Sequence, residues 1–176
     1  MKLLLHTCCA PCLCGVMPFV EGLKTVCFWF NPNIHPYTEY KARLHEVETY
    51  TRKKNTELII KDNYGLREFL CGIKNNFEDR CGICYGLRFE ECARTAAKQN
   101  FDAFGSTLML SPYQDHEKIK ETGEKYAELY GLDFFYEDFR KNFRTAMEQA
   151  REQKIYMQKY CGCIFSEEER YIKIKK

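Results

Sequence analysis

No stretch of this sequence comes near the ~18 consecutive apolar residues that cross a bilayer, so no membrane-spanning helix is expected. The start is equally unlike a secretory signal: one lysine, three leucines and then a histidine. A cytoplasmic protein is expected. An excess of one charge is missing too, with 27 Lys and Arg against 25 Asp and Glu and a formal net charge of +2. That balance neither requires nor excludes a nucleic-acid partner, since a local basic patch can sit inside a balanced total. Repeats, low-complexity tracts and linker-like segments are absent. Residues 1–176 therefore read as one domain, long enough for a core without disulfide staples.

What the sequence does have is cysteine, eleven in all. A reducing cytoplasm argues against a structural disulfide framework, and an odd count leaves at least one thiol without an internal partner. Four of the eleven, Cys8, Cys9, Cys12 and Cys14, fall within seven residues, directly after the apolar run ending at Leu5. Two further pairs follow, Cys81-x-x-Cys84 and Cys161-x-Cys163.

The elements around them alternate. Leu3 to Leu5 reads as a strand and Val16 to Gly22 as a short helix. Thr25 to Phe30 is a continuous β-branched and aromatic run, as in a strand covered on both faces. A helix is expected from Thr38 as N-cap to about Lys54, a third strand over Glu57 to Ile60, and a short helix over Tyr64 to Ile73. Phe89, Cys92, Ala93, Ala96 and Ala97 mark one face of the helix after Cys84. A fourth strand spans Phe101 to Leu110, a helix His116 to Tyr130 with Gly131 as its stop, and a fifth strand Leu132 to Tyr136. Phe143, Met147, Ala150 and Met157 mark a last long helix, followed by a cysteine-bearing tail. This alternation predicts an α/β fold, a single parallel sheet with helices on both faces. In such a sheet the loop after the first strand lies at the carboxyl edge, where ligands bind.

Adjacent cysteines in a tight loop do not easily share one tetrahedral ion, but they can bind different irons of a cubane, and the first loop with Cys81/Cys84 supplies four thiolates. Structural zinc is the rival, having the same ligand set. The strand-end position and the surplus cysteines favour a cluster. Cys161-Gly162-Cys163 reads either as a small, reducible disulfide pair, as more metal ligands, or as tail cysteines without a role. Cys27 and Cys92 read as buried hydrophobes, while Cys71 is left between core and surface. Asp79 could bind a second, harder iron or be a solvated loop residue. His6 could orient a ligand, donate a proton or be structural; His35 and His45 read as loop and helix surface, and His116 as a helix opener. Ser111 with Tyr113 could line a pocket or cap a turn. Three small basic groups, Arg52-Lys53-Lys54, Arg140-Lys141 with Arg144, and Lys173-Lys175-Lys176, could dock an RNA backbone or be solvated surface.

Four pieces together resemble the QueH family of epoxyqueuosine reductases. They are His6-Thr-Cys-Cys-Ala-Pro-Cys12, Asp79-Arg-Cys-Gly-Ile-Cys-Tyr85, Ser106-Thr-Leu-Met-Leu-Ser-Pro-Tyr113 and Tyr160-Cys-Gly-Cys-Ile-Phe-Ser166, spread over essentially the whole chain. The resemblance implies a cytoplasmic oxidoreductase that removes the epoxide oxygen of epoxyqueuosine at the tRNA wobble position, the last step to queuosine. It implies a Rossmann-like fold of the adenine-hydrolase-like (HUP) kind and a 4Fe–4S cluster held by Cys8, Cys9, Cys81 and Cys84. Cys161 and Cys163 are implied to be a redox-active pair. The Ser-Gly-Gly-x-Asp-Ser phosphate loop of nucleotide-activating relatives is missing, so ATP is not expected. Electrons must come from an external donor. Cys12 and Asp79 are leftover ligands from which an additional mononuclear iron site could be built, and Tyr85, Tyr113, His6 or water could supply protons. The alternatives are a cluster-dependent tRNA sulfur-transferase and a zinc-stabilised RNA-binding module.

Overall fold

The computed structural model describes residues 1–172, so the basic group Lys173-Lys175-Lys176 lies outside the described residues. The strands are β1 (Lys2–His6), β2 (Lys24–Trp29), β3 (Leu58–Ile60), β4 (Ala103–Ser106) and β5 (Asp133–Phe135). They form one parallel sheet in the order β3-β2-β1-β4-β5. The architecture is Rossmann-like. Leu3, Leu4 and Leu5 are fully buried, as a central strand covered on both faces requires. Sequence order reverses between β1 and β4, and His6 pairs with Ser106 at that seam. The crevice at this switch point is where an open α/β sheet takes ligands.

The helices are α1 (Ala10–Val20), α2 (Tyr37–Lys53), α3 (Leu66–Ile73), α4 (Arg80–Lys98), α5 (His116–Tyr130), α6 (Phe143–Glu152) and α7 (Ile164–Tyr171). α1 packs on α2 and α6, whereas α4 packs on α5 and α3. No helix among the described residues is long and apolar enough to cross a membrane.

Several boundaries differ from the sequence expectation. α1 begins at Ala10 rather than Val16, because Pro11 in its first turn brings a preset φ and lacks only an N–H that would have no partner there. Only Cys8 and Cys9 therefore remain in the loop, and Cys12 and Cys14 ride on the helix. Pro36, not Thr38, precedes the first residue of α2. β4 stops at Ser106, whose Oγ accepts the Leu108 N–H at 3.2 Å and turns the chain into a 3-10 turn over Thr107–Leu110. Cys81 and Cys84 lie on the opening turns of α4, one face of a helix, rather than ahead of it. The last long helix ends at Glu152; Lys154 adopts φ 58°, and Met157 lies beyond the helix. The tail instead carries a helix of its own, α7. α5 follows expectation, opened by Asp115, whose carboxylate accepts the Lys118 N–H at 3.1 Å, and closed by Gly131 at φ 65°.

Candidate metal centre

Three thiols meet where β1 gives way to α1. The sulfurs of Cys8, Cys9 and Cys12 lie within 4.8 Å of one another, and all three residues are buried. The surrounding loop is held from below. Thr7 N–H donates to the Phe28 carbonyl at 2.8 Å, and Asn31 Nδ2 donates to the Thr7 carbonyl at 2.9 Å. Across the switch point, the Cys8 N–H donates to Thr107 Oγ1 at 3.2 Å, and Cys8 Sγ lies 3.4 Å from the same oxygen. From the tail, Gln158 Nε2 donates to Cys9 Sγ at 2.9 Å. Cys14 takes no part, accepting instead from Gln153 Nε2 at 3.4 Å.

The three thiols share their protons unequally. Hydrogen bonds from Cys12 and Cys9 hold Cys8 well below the ordinary thiol range, with Thr107 helping against burial. Burial drives Cys9 the other way, and its bonds to Cys8 and Cys9 drive Cys12 up. Cys8 is thus the thiol of the three that gives up its proton most readily. A metal binding there would displace the thiol protons.

His6 lies under this group, fully buried. Its Nδ1 accepts from the Ser106 hydroxyl at 2.9 Å, and its Nε2 faces the Phe30 carbonyl and Asn31 Oδ1, each at 3.2 Å. Burial, then the Arg88 charge, lowers its pKa to about 4, so the ring is neutral at physiological pH.

The second thiol group is built by α4 and the tail. Cys84 and Cys163 pack with Phe69 and Ile73 in a small apolar cluster, while Cys81 and Cys161 are exposed. Burial pushes Cys84 up to about 12 and Cys163 up to about 11. Among the described residues, the tight sulfur group contains Cys8, Cys9 and Cys12; Cys81 and Cys84 stand outside it. Arg88 bonds to the second group. Its Nη2 donates to Cys84 Sγ at 3.1 Å and its Nε to the Cys84 carbonyl at 3.0 Å. Burial disfavours its charge, yet the sulfurs of Cys84 and Cys8 together hold its pKa above normal.

The tail turn is clamped. Arg43, 1% exposed, donates from Nη1 to the Cys161 carbonyl and from Nη2 to the Tyr160 carbonyl, each at 2.9 Å, and pairs through Nε with Glu39 at 2.7 Å. Its charge also reaches Cys9 and Cys8. Gly162 adopts φ 116°, and its carbonyl accepts the His35 N–H at 2.8 Å. A Cβ at Gly162 would stand 2.9 Å from Ile34 Cγ1 and 3.1 Å from Arg43 Nη1, so only glycine suits the turn. Further out, Arg80 lies against the rings of Phe77 and Phe165 and pairs with Glu169, fastening α7 to the start of α4.

Asp79 sits at the head of α4 with a carboxylate oxygen 2.5 Å from Lys118 Nζ, and its carboxylate folds over Gly82. Tyr85 is buried; its hydroxyl donates to Gln114 Oε1 at 3.0 Å and accepts the Asp115 N–H at 3.1 Å. Tyr113 is 83% exposed, its ring edge-on to Phe143. His35, expected on a surface loop, is buried against Tyr64 and Phe69, with neither ring nitrogen partnered. Sequence reading misses Arg43, Arg88 and Gln158. For the arginines a signal exists: each falls four residues after a partner, Glu39 or Cys84, on the apolar stripe of its helix.

Comparison with known proteins spans these residues. The family described as epoxyqueuosine reductase QueH matches residues 3–169. Among curated relatives, the epoxyqueuosine reductase QueH of Dehalococcoides mccartyi is 34% identical over 172 residues, covering 97% of this chain and 94% of the relative. That of Acinetobacter baylyi is 37% identical over 175 residues, covering 94% and 80%. That of Thermotoga maritima is 32% identical over 181 residues, covering 95% and 91%.

Proposed function

The chain belongs to the epoxyqueuosine reductase QueH family and is an oxidoreductase of that activity; we propose that it works through an iron–sulfur centre held by its clustered thiols. The observation that carries this reading is the buried group of Cys8, Cys9 and Cys12 sulfurs, with a second thiol group built by α4 and the tail and a buried guanidinium bonded to each end of that second group, Arg88 to Cys84 and Arg43 to the Cys161 carbonyl. Thiolates are the ligands such a centre takes, and a buried positive charge favours their ionised form.

Cys8, Cys9, Cys81 and Cys84 would hold a 4Fe–4S cluster, and Cys12 with Asp79 an additional iron, for which Asp79 must exchange its Lys118 partner. Bound there, the centre supplies electrons one at a time. Removing an epoxide oxygen as water consumes two electrons and two protons and leaves an alkene. The electrons come from an external donor. Thr107 and Gln158 orient the sulfurs of Cys8 and Cys9. His6, neutral and engaged at both nitrogens, fixes the end of β1 against β4 rather than delivering a proton. Tyr85 and Tyr113 remain the proton donors offered by side chains. Cys161 and Cys163, held by Arg43 and Gly162, are read as a redox-active pair. The tRNA substrate must present its wobble base unstacked, as single-stranded anticodon loops allow. One catalytic domain, acting in the cytoplasm, suffices for this reading.

Anaerobic reconstitution, iron and sulfide counting, and nucleoside analysis of epoxyqueuosine-containing tRNA after chemical reduction test it. Cys8→Ser and Cys84→Ser are each expected to lose iron and turnover together. One stoichiometric zinc with no iron would overturn the cluster.

A further inference from the structure

Arg88 has no carboxylate partner. Its residue is 3% exposed, and no Asp or Glu among the described residues lies within ion-pair distance of it, whereas the equally buried Arg43 is matched by Glu39. A buried guanidinium without a carboxylate partner is costly, so the fold must offer another acceptor. What it offers is sulfur. Nη2 points at Cys84 Sγ from 3.1 Å while Nε is anchored on the Cys84 carbonyl at 3.0 Å. This two-point grip uses the rigid fork of arginine, and an ammonium cannot make both bonds at once. The Tyr85 ring, 5.6 Å from Cζ, packs beside the same group.

We propose that Arg88 sets the reduction potential of the metal centre, by aiming a charge-assisted N–H···S hydrogen bond at Cys84 Sγ and fixing a positive charge beside that sulfur. The inference rests on the iron–sulfur reading given above. Reduction adds one electron to the centre and makes it more negative. A donor on a ligand sulfur and a cation in a water-poor setting both stabilise that added charge. The potential therefore rises into the reach of a mild electron donor. Arg88 touches a ligand rather than the substrate, so it is a positioning residue.

The test compares anaerobically reconstituted wild-type protein with Arg88→Gln and Arg88→Lys. Each is titrated with dithionite, which gives up the electron and ends as sulfite, while the visible absorbance of the centre is followed at a poised potential. Iron and sulfide are counted in each sample. Arg88→Gln is expected to lower the equilibrium constant for one-electron reduction at least tenfold, a shift of about 59 mV or more to negative potential. Arg88→Lys keeps the charge without the directed bond and should shift in the same direction by less. Potentials unchanged or raised in both variants, at equal iron content, overturn the proposal while leaving the cluster intact. If Arg88→Gln fails to load iron, Arg88→Lys decides alone: a lowered potential supports the assignment and an unmoved one ends it. Wild-type protein that takes up zinc and no iron defeats the iron–sulfur reading itself, and Arg88's role with it.

Discussion

Replacing Arg43 by methionine removes a guanidinium while keeping much of its apolar stem. Three contacts go: the pair with Glu39 at 2.7 Å and the bonds to the carbonyls of Tyr160 and Cys161 at 2.9 Å each. Removing one partner of a buried ion pair costs about 3–5 kcal/mol. Here the stranded Glu39 keeps the Tyr156 hydroxyl at 2.6 Å and is partly open to water, so the low end applies, about 3 kcal/mol. Two of the three lost bonds end on residues 160 and 161, so about two-thirds of that, about 2 kcal/mol, falls on the tail. Local opening of the Cys161–Cys163 turn should become more populated by about 30-fold, at roughly 1.4 kcal/mol per decade. The assay is native-state alkylation read by mass spectrometry at each cysteine. Cys163, 7% exposed, is expected to react faster by that order, while Cys27 and Cys92, both fully buried, stay protected and serve as internal controls. Arg43→Lys should fall between, because one ammonium cannot serve all three acceptors. An unchanged Cys163 rate in folded Arg43→Met protein refutes the clamp. Parallel exposure of Cys27 and Cys92 refutes its local character.

Two further outcomes are expected. His35 has its pKa lowered to about 4 by burial, so the unfolded chain takes up a proton near 6.5 that the folded protein refuses until about pH 4. Stability is then full above pH 6.5 and falls by up to about 3 kcal/mol as the pH drops through that window; His35→Leu should flatten part of this limb in acid-unfolding curves, and an unaltered slope would contradict the burial argument. Gly15 lies where α1 meets α6, and a Cβ added there would stand only 2.5 Å from Ala146 Cβ and 2.7 Å from Leu110 Cδ2. Gly15→Ala should cost about 1–3 kcal/mol and lower the calorimetric melting temperature, and a melting temperature equal to wild type would count against that close approach.

The sheet is legible in the sequence because its strands carry their own signals. Leu3 to Leu5 and Thr25 to Phe30 are continuous apolar runs, and each is followed by a helical period, which is enough to set a parallel order. The edges are less so. Helix starts depend on Pro11 and Pro36, which act through φ and a missing N–H rather than through periodicity, so α1 and α2 begin elsewhere than their apolar stripes. β4 is shorter than its sequence suggests because Thr107 to Leu110 are as apolar as a strand, and only the Ser106 side chain reveals the turn. Of the site, the cysteines announce themselves by spacing. Arg43 and Arg88 leave only a weak signal, a partner four residues earlier and a place on the apolar stripe of the helix, and nothing local says that the tertiary fold will close over them. Their burial is a property of packing between elements far apart in sequence. His35 is misjudged for the same reason: a loop residue is ordinarily wet, and here Tyr64 and Phe69 cover it.

The position of the thiols explains why this crevice suits sulfur. In an α/β sheet the loop after β1 delivers the chain into α1, whose first N–H groups have no acceptor within the helix and whose dipole favours negative charge. Nucleotide-binding relatives of such folds use that end for phosphate. Here Cys9 occupies the residue before Ala10 and Cys12 the first turn, so the same field bears on thiolates. Arg43 and Arg88 add positive charge from α2 and α4, on the two sides of the sheet seam. Each of these terms favours an anion, and none distinguishes phosphate from sulfide by charge. The distinction is made by donor chemistry: Cys8, Cys9 and Cys12 place three soft sulfur atoms within 4.8 Å where a phosphate would need hydrogen-bond donors. Replacing Cys8, Cys9 and Cys12 together by serine leaves the positive field in place and removes the soft ligands. Iron uptake, read by metal counting, should then vanish while the melting temperature stays within a few degrees of the metal-free wild type. Collapse of the fold in that variant would mean that the thiols are core packing first and ligands second.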